Sequence, residues 1–332
     1  MMTYFKKELF ILCNKSVRYK VLEFIGEGCF GKVAKCVNMN TNETTAIKIL
    51  KDDNDYDDEV EMLKKLRTLD PERNNLVRFM DSFIVDDKSC ITFELLDRSL
   101  GHLIEQRKKR LTLNEIRPIT RQLLVALDAL KGIGLLYTDL KLDNVMLVNH
   151  QDEPFRVKLI DFGLAMPASE VWEGMIVQPC AYRAPEVSLG LPISEAIDMW
   201  SLGCLLARLN LEDTRAFLNL LQMLLNPDAE MRITPEEALE HSFVTMSHLA
   251  DYTHRSSYTQ AAFELMVVCP LKLLQPWTTA TITHGKWFCH IEDLKQRSAL
   301  AQRVMESSSA VGRFHFRLSE ELFSPSRERV SL

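Results

Sequence analysis

The sequence lacks a hydrophobic run that could cross a membrane, closely paired cysteines and an excess of basic residues. A spanning helix needs about 18 consecutive apolar residues, and no run in these 332 residues approaches that length. The eight cysteines form no Cys-x-x-Cys pair, which predicts a reduced, intracellular protein without structural zinc. The net charge of −6 argues against direct, electrostatic binding of nucleic acid.

One stretch combines residue types suited to proton transfer and to binding a hard cation. It is Asp139-Leu140-Lys141-Leu142-Asp143-Asn144, followed seventeen residues after Asn144 by Asp161-Phe162-Gly163. The Asp139 carboxylate is placed to accept the proton of an incoming hydroxyl group. An amide oxygen on Asn144 and a carboxylate on Asp161 are ligands that Mg²⁺ prefers. Lys141 is close enough in sequence to reach a transferred phosphoryl group.

A glycine-rich segment follows the first predicted strand, which begins at Tyr19. It reads Gly26-Glu27-Gly28-Cys29-Phe30-Gly31-Lys32-Val33. By itself, a Gly-x-Gly-x-x-Gly motif also occurs at the start of a dinucleotide-binding helix. Here residues 32–37 are typical of a returning strand, which favours a hairpin folded over phosphates. The glycines would let backbone amides approach phosphate oxygens.

A lysine in an apolar strand supplies a third part of the pattern. The strand Thr45–Leu50 contains Lys48, and a buried lysine needs a charged partner. Residues 58–66 are predicted to form a helix with an inward stripe of Met62, Leu63 and Leu66. Either Asp58 or Glu59 could pair with Lys48, and Glu59 is preferred. Further strands are predicted at residues 76–84 and 90–95, and a long amphipathic helix at 116–130.

These motifs occur in the order and at the separations found in the eukaryotic protein kinase superfamily, which residues 19–246 resemble. Ala184-Pro185-Glu186 is similar to the end of the activation segment in that superfamily. Residues 198–203 look like the central helix of its large lobe. The resemblance implies that Asp198 braces the catalytic loop and that Arg232 pairs with Glu186.

The resemblance also implies an α+β, two-lobed kinase fold. A small antiparallel β-sheet lobe with one helix would occupy residues 19–96, and a mostly helical large lobe residues 97–250. ATP would bind between the lobes. Residues 1–18 are expected to be an extension, with a short helix or a loose segment in residues 1–17. Residues 251–332 are expected to be a C-terminal tail.

The expected site follows from the same resemblance, residue by residue. Phe93 would lie behind the adenine, and the backbone of Glu94 and Leu96 would bind it. The full ATP-binding set would be Ile25, Gly26, Glu27, Gly28, Phe30, Gly31, Val33, Ala46, Lys48, Glu94, Leu96 and Met146. The catalytic set would be Lys48, Glu59, Asp139 and Lys141, and the Mg²⁺ ligands would be Asn144 and Asp161.

Four further segments resemble a narrower group, the homeodomain-interacting protein kinases. They are residues 182–186, 189–192, 195–204 and 241–246, and residues 144–148 and 156–161 agree with the same likeness. Together with Lys141, whose spacing from Asp139 is similar to serine/threonine kinases, they imply phosphorylation of serine and threonine on protein substrates. Transcription regulators and signalling proteins are the substrates that this resemblance implies. It also implies a nuclear location, with the cytoplasm as the alternative.

Two departures from the family pattern concern regulation. Tyr137-Thr138 replaces the usual His-Arg before Asp139, and Tyr137 is expected to pack under Phe162. Ile176 stands where those kinases phosphorylate a tyrosine, and Pro179-Cys180-Ala181 replaces their Ser-Arg-Tyr. A phosphotyrosine–arginine pair therefore cannot order this loop.

The third departure is a shortened large lobe. Soon after Leu209 comes Asp213, the predicted cap of a helix over residues 214–225, so the usual docking helix for protein substrates is missing. The leading interpretation remains an active kinase, and the alternative is a catalytically weak pseudokinase that binds ATP or a partner. The exposed flank is expected to be covered by residues 263–274, packed beside Leu205, Leu206 and Leu209.

Overall fold

A computed structural model of the chain shows an antiparallel sheet followed by a largely helical region. The structure describes residues 11–14, 17–28, 31–51, 56–85, 87–107, 110–209, 215–247 and 257–269. Within these ranges no helix is long and apolar enough to span a membrane.

The small lobe is built on a six-stranded antiparallel sheet in the order β1-β2-β3-β4-β6-β5. Its strands are β1 (Ile11–Asn14), β2 (Val17–Glu27), β3 (Gly31–Asn38), β4 (Thr44–Leu50), β5 (Phe79–Val85) and β6 (Lys88–Glu94). Burial alternates along β3, where Ala34, Cys36 and Asn38 face the core. This period of two matches the alternation that predicts a half-buried strand. The predicted strands at 76–84 and 90–95 are therefore present with shifted ends.

The expectation of a helix or loose segment at the N-terminus is wrong for its described part. Ile11–Asn14 pairs with β2 in antiparallel register, with Leu12 opposite Tyr19. Leu12 is buried in the same apolar cluster as Tyr19 and Phe83. Four residues carry too weak a local pattern to predict this strand, because the neighbouring strand supplies its hydrogen bonds.

Helix α1 (Tyr56–Leu66) packs on the sheet and carries the predicted inward stripe. Met62, Leu63 and Leu66 are buried. Acidic residues fill its first turn and lysines its last turn, which complements the helix dipole. Glu59 is also buried, although a carboxylate is costly to bury without a partner. This helix therefore brings one charged group into the interior.

The large lobe is mainly helical, and the predicted two-lobed α+β kinase fold is confirmed. Its helices are α2 (Leu100–Gln106), α3 (Leu113–Gly132), α4 (Pro185–Leu189), α5 (Ala196–Leu209), α6 (Arg215–Leu224), α7 (Pro235–Leu239), α8 (Ser242–Thr245) and α9 (Ser257–Met266). Its strands are β7 (Leu135–Leu136), β8 (Val145–Leu147), β9 (Val157–Leu159) and β10 (Met166–Pro167), paired as β7 with β10 and β8 with β9. A capping box of Thr112 and Glu115 starts α3.

Helix α6 follows α5 after five residues and packs directly against it. A Cβ atom on Gly203 would lie 2.9 Å from Leu225 Cγ and 3.1 Å from Leu224 Cβ, so glycine permits this close approach. The predicted helix over residues 214–225 is confirmed from Arg215 onward, and Asp213 and Thr214 lie outside the described residues.

The prediction that residues 263–274 pack beside Leu205, Leu206 and Leu209 is wrong. Those three leucines are already buried, and α9 instead contacts α3. The physical reason is the close packing of α6 on α5, which leaves no apolar flank there for the C-terminal segment. The described part of the expected tail, residues 257–269, thus adds a packed helix to the large lobe. Residues 270–274 lie outside the described residues.

Candidate active site

The site is centred on an ion pair that joins the two lobes. Lys48 on β4 lies 2.8 Å from both carboxylate oxygens of Glu59 on α1. The same ammonium lies 3.0 Å from Oδ1 of Asp161, which follows β9. Glu59, rather than Asp58, is therefore the partner of Lys48, as preferred from the sequence.

The charge state of Lys48 is set by two opposing effects. Burial by itself lowers the pKa of Lys48, but the carboxylates of Asp161 and Glu59 together outweigh it, so the pKa is raised. The side chain of Lys48 is 11% exposed and that of Glu59 is 2% exposed. A permanent cation thus lies at the inner end of the cleft, where it can bind an anionic group.

Asp139 is held by two neighbours in its own loop. Lys141 Nζ lies 2.8 Å from Asp139 Oδ2, and Asn144 Nδ2 donates to the same oxygen at 2.7 Å. Asn144 Nδ2 also donates to the backbone oxygen of Asp139 at 3.0 Å. Because the amide nitrogen of Asn144 is used in this way, its amide oxygen is the atom that remains to ligate a cation.

The donor set fits magnesium bound together with a nucleotide. Among the described residues no cluster of three or more His, Cys, Asp or Glu could hold a metal ion. Magnesium at phosphate-binding sites uses one or two protein carboxylates together with the phosphates of the substrate. Asn144 and Asp161 together offer an amide oxygen and a carboxylate, which satisfy that requirement.

The loop that carries Asp139 is supported from below by α5. Asp198 accepts from the backbone N–H of Tyr137 at 2.8 Å and from that of Thr138 at 2.9 Å. Thr138 has a φ of +64°, a conformation that a β-branched residue rarely adopts. Burial raises the pKa of Asp198 to about 6, although both amide bonds lower it. The bracing role implied for Asp198 matches these contacts.

The Asp161-Phe162-Gly163 segment packs against the same loop. The rings of Tyr137 and Phe162 meet edge to face with centroids 5.3 Å apart, which confirms the expected packing. Burial, and then the carboxylates of Asp161 and Asp139, raise the pKa of Tyr137 well above its ordinary value. Its neutral hydroxyl donates to the carbonyl oxygen of Ile160. A Cβ on Gly163 would touch Glu59 Oε2, so this residue brings Asp161 close to the ion pair.

The glycine-rich segment forms the predicted hairpin between β2 and β3. Gly28 N donates to Gly31 O at 2.9 Å, and Lys51 Nζ donates to Gly28 O at 2.8 Å. A Cβ on Gly31 would clash with the carbonyl oxygen of Ile49, so only glycine fits there. Phe30 lies outside the described residues.

Cross-strand pairing brings the expected adenine-binding residues onto one face of the sheet. Gly26 is opposite Val33, Val33 is opposite Lys48, and Ala46 is opposite Phe93. Directly paired residues project to the same face. Val33 and Ala46 are partly exposed and Ile25 is 47% exposed, as an open apolar cleft requires.

The connection between the lobes completes this cleft. Leu96, just after β6, is buried, whereas Glu94 is partly exposed and turns its carboxylate to Lys158 on β9. Met146 on β8 pairs with Ser99 in an isolated antiparallel backbone bridge. Because the side chain of Glu94 bonds Lys158 and its backbone N–H donates to Arg78 O at 3.1 Å, the backbone carbonyl oxygen of Glu94 is the group that can face a base.

Sequence reasoning missed Lys158, whose ammonium bonds Glu94 at 2.7 Å and Glu72 at 2.6 Å. The side chain of Lys158 is fully buried. The signal was available, because Lys158 lies in the apolar run 157–160 as Lys48 lies in the run 45–50. A charged residue inside a strand predicts a buried partner in both cases.

The fold and this site define a class of protein before any relative is considered. A glycine hairpin, a lysine–glutamate pair, an Asp-x-Lys-x-x-Asn loop and an Asp-Phe-Gly segment converge on one cleft. A model of the protein kinase domain matches residues 19–215, more than half of the chain. The chain belongs to the protein kinase family.

Named relatives narrow the likeness to homeodomain-interacting protein kinases. The chain is 33% identical to homeodomain-interacting protein kinase 2 of Mesocricetus auratus, covering 78% of this chain and 31% of that protein. It is 45% identical to homeodomain-interacting protein kinase 1 of Caenorhabditis elegans, covering 60% and 24%. It is 42% identical to homeodomain-interacting protein kinase 4 of Homo sapiens, covering 58% and 32%. The chain therefore spans about a third or less of these relatives.

The comparisons also bear on the shortened lobe. The alignment with the Mesocricetus auratus protein extends over 362 positions, more than the 332 residues of this chain. The relative therefore contains segments that have no counterpart here. The match to the kinase domain ends at residue 215, where α6 begins.

Proposed function

We propose that this protein kinase transfers the γ-phosphoryl group of ATP to serine or threonine hydroxyls of proteins, using Mg²⁺. The proposal is supported by the contact of Lys48 with both Glu59 and Asp161, which links a phosphate anchor to a metal-binding carboxylate. Phosphoryl transfer depends mainly on positioning and charge neutralisation, and these contacts supply both.

In this proposal each residue has a role set by its chemistry. Lys48, held by Glu59, binds the α- and β-phosphates, and the amides of the glycine hairpin cover them. Asp139 orients the incoming hydroxyl and accepts its proton, while Lys141 stabilises charge on the transferred group. The adenine is contacted by the side chains of Ile25, Val33, Ala46 and Met146. It is also contacted by the backbone of Glu94 and Leu96.

Asn144 and Asp161 would hold Mg²⁺, which neutralises phosphate charge when bound. Neighbouring residues of this chain orient these two side chains. Asp139 fixes the amide of Asn144, and Lys48 fixes one oxygen of Asp161. These bonds leave oxygen atoms as the groups available to a hard cation.

The observation that carries a transferase, rather than a nucleotide-binding protein alone, is the arrangement around Asp139. Binding ATP does not require this carboxylate, yet Lys141 and Asn144 both bond it. The test is purified protein with radiolabelled ATP, magnesium and a generic basic protein. We expect label on serine and threonine, and transfer at least about 100-fold slower with Asp139→Asn. Absence of transfer by wild-type protein that still binds ATP would favour the alternative.

That alternative, a weak pseudokinase that binds ATP or a partner, is favoured by one observation. Only five residues separate α5 from α6, so a surface expected to dock protein substrates is reduced. Substrates are proposed to include transcription regulators, because the relatives' names specify interaction with homeodomains. A nuclear location is proposed on the same basis, with the cytoplasm as the alternative.

A further inference from the structure

One face of the C-terminal segment docks on α3. We call residues 257–269 the C-terminal strap. Ala262, Met266 and Cys269 are buried together with Met246, at the helical spacing of four and three residues. The Cys269 thiol donates to the carbonyl oxygen of Pro118 in α3 at 3.8 Å. The strap is thus held mainly by apolar packing.

The end of the strap contacts a charged side chain of the large lobe. Arg156 Nη1 donates to the carbonyl oxygen of Val268 at 2.9 Å. Arg156 Nη2 donates to both the backbone oxygen and Oε2 of Glu72, at 3.1 Å each. Glu72 lies between α1 and β5, in the small lobe. One guanidinium group therefore joins the strap to the small lobe.

Glu72 shares a buried cation with the connection between the lobes. Lys158 Nζ lies 2.6 Å from Glu72 Oε1 and 2.7 Å from Glu94 Oε1. Burial by itself raises the pKa of Glu72, but Lys158 and Arg156 outweigh it and lower the pKa. This network holds two cations and three carboxylates, because Arg156 Nε also lies 3.7 Å from Oε2 of Glu153. Losing Arg156 would leave two carboxylates facing one buried ammonium.

Glu94 lies in the hinge, which is the connection between the lobes at residues 93–96, and its side chain and its backbone both bond the backbone of Arg78. The backbone N–H of Arg78 donates to Glu94 Oε1 at 2.6 Å, and that of Glu94 donates to Arg78 O at 3.1 Å. Hydrogen bonds of 3.1 Å or less thus run without a break from Val268 to Glu94.

We propose that the C-terminal strap positions the hinge of the nucleotide site through Arg156, Glu72 and Lys158. Its docking holds the guanidinium of Arg156 against Val268 and so keeps Glu72 aligned with Lys158. Undocking the strap loosens the hinge and weakens ATP binding. The consequence for ATP binding rests on the proposed function, whereas the effect on the hinge does not.

The first test compares two substitutions at adjacent positions in the full-length chain. Met266→Asp places a charge in the buried cluster, and Val267→Asp places the same charge on a side chain that is 76% exposed. The readout is hydrogen–deuterium exchange of the Arg78 and Glu94 amides without nucleotide. We expect about tenfold faster exchange with Met266→Asp and no change with Val267→Asp. Unchanged hinge exchange in folded Met266→Asp protein would overturn the proposal.

A second variant decides the matter even where Met266→Asp fails to fold. Arg156→Met leaves the apolar face of the strap intact. It removes the guanidinium that bonds both Val268 and Glu72, so we expect the same faster exchange of the hinge amides. Lys131→Met, which breaks an exposed pair with Glu195, is the control. Combined with Met266→Asp, Arg156→Met should add nothing further, because both break one connection. Full additivity, or normal exchange in Arg156→Met alone, would reject the connection.

ATP affinity is measured separately on the same proteins. We expect about a tenfold higher Kd for ATP with magnesium in both Met266→Asp and Arg156→Met. If the wild-type chain does not bind ATP, the proposed function fails, and the exchange data alone decide whether the strap positions the hinge.

Discussion

The two ends of α5 have different surroundings. One end contacts the candidate site, and the other lies where the large lobe is shorter than the family pattern predicts. At one end Asp198 bonds two amides of the loop before Asp139, within the candidate site of residues 137–163. At the other end lies the shortened flank, by which we mean Leu205, Leu206 and Leu209 together with α6, which begins five residues after α5. Asp198 and Leu209 are 11 positions apart, or about 16 Å along a helix. The two hydrogen bonds from Asp198 to this loop are local, because they do not involve the far end of the helix. A shorter connection after Leu209 therefore leaves them in place.

The largest expected effect comes from a substitution in the candidate site alone. Asp139→Asn removes the proposed proton acceptor but keeps a side chain of the same size, so turnover should fall by about 10²- to 10⁴-fold. The affinity for ATP should stay nearly unchanged. Turnover by label transfer and affinity by calorimetry measure the two quantities.

Two further variants sharpen that result. Asp161→Asn should instead disrupt magnesium-dependent ATP binding, because it removes the negative charge of a proposed Mg²⁺ ligand and replaces one of its oxygens with an amide nitrogen. Asp152→Asn, at an exposed position in the turn between β8 and β9, is the matched control and should behave as wild type. Wild-type turnover in Asp139→Asn would show that the proton acceptor is assigned wrongly.

The next largest effect is on the free energy of unfolding, through the ion pair that anchors the segment after α6. Arg232, between α6 and α7, pairs with Glu186 at 2.6 Å, and their side chains are 0% and 4% exposed. This pair is the one that the resemblance implied. Glu186→Gln should lower the free energy of unfolding by about 3 kcal/mol, because a buried guanidinium loses its counter-charge. Chemical denaturation measures the change.

Glu195→Gln is the control for that prediction. Glu195 forms an exposed pair with Lys131, so its loss should cost less than about 1 kcal/mol. Equal losses for the two variants would mean that the shortened flank is not anchored through Arg232.

A pH effect of about 1 kcal/mol is expected from Asp198 at the intact end of α5. Its pKa is raised to about 6 in the folded protein, so the folded state holds the proton more tightly than the unfolded state does. Stability from this group is therefore present at low pH and is lost as pH rises through about 6. Between pH 5 and pH 7 the loss is about 1 kcal/mol.

Asp198→Asn isolates this contribution. The difference in unfolding free energy between wild type and variant should shift against the wild type from pH 5 to pH 7. Unfolding by urea at both pH values measures it, and a difference that is independent of pH would contradict the raised pKa.

A stability change of similar size is expected at the contact between α5 and α6. Gly203→Ala inserts a methyl group between α5 and α6 and should destabilise the protein by about 1 kcal/mol. Gly132→Ala, in α3, meets no atom within 4 Å and should stabilise by about 0.5 kcal/mol through helix propensity. Thermal unfolding compares them, and stabilisation by both substitutions would mean that α6 does not pack closely here.

The smallest expected effect is on the activation segment. Gln178 bonds Ser201 Oγ and the Ala184 amide, and Arg183 bonds the Val177 and Gln178 carbonyl oxygens. These bonds order the segment without phosphate, and Ile176 is 76% exposed where relatives are expected to carry tyrosine. Treatment with a tyrosine phosphatase should leave the rate of transfer unchanged. A large fall, traced to this segment by mass spectrometry, would contradict the prediction.

Local patterns were enough to predict most of the sheet and which side chains meet at the candidate site. Asp139, Asn144 and Asp161 lie in short motifs whose residue types suit proton transfer and cation binding. The pairing of Lys48 with Glu59 followed from a lysine in an apolar strand and an acidic helix next in the chain. Each of these inferences depends on neighbours in sequence, which is why the sequence by itself determined them.

Only the tertiary structure shows how the N-terminal strand, helix α9 and the Arg156 network pack against the rest of the molecule. Ile11–Asn14 becomes a strand because β2 offers it hydrogen-bond partners. The C-terminal helix α9 lies on α3 rather than α5, because Gly203 lets α6 cover α5 first. The network from Val268 to Glu94 joins residues from four separate segments. Such contacts depend on which apolar faces and charges remain unpaired once the local elements have packed, and no short motif records that.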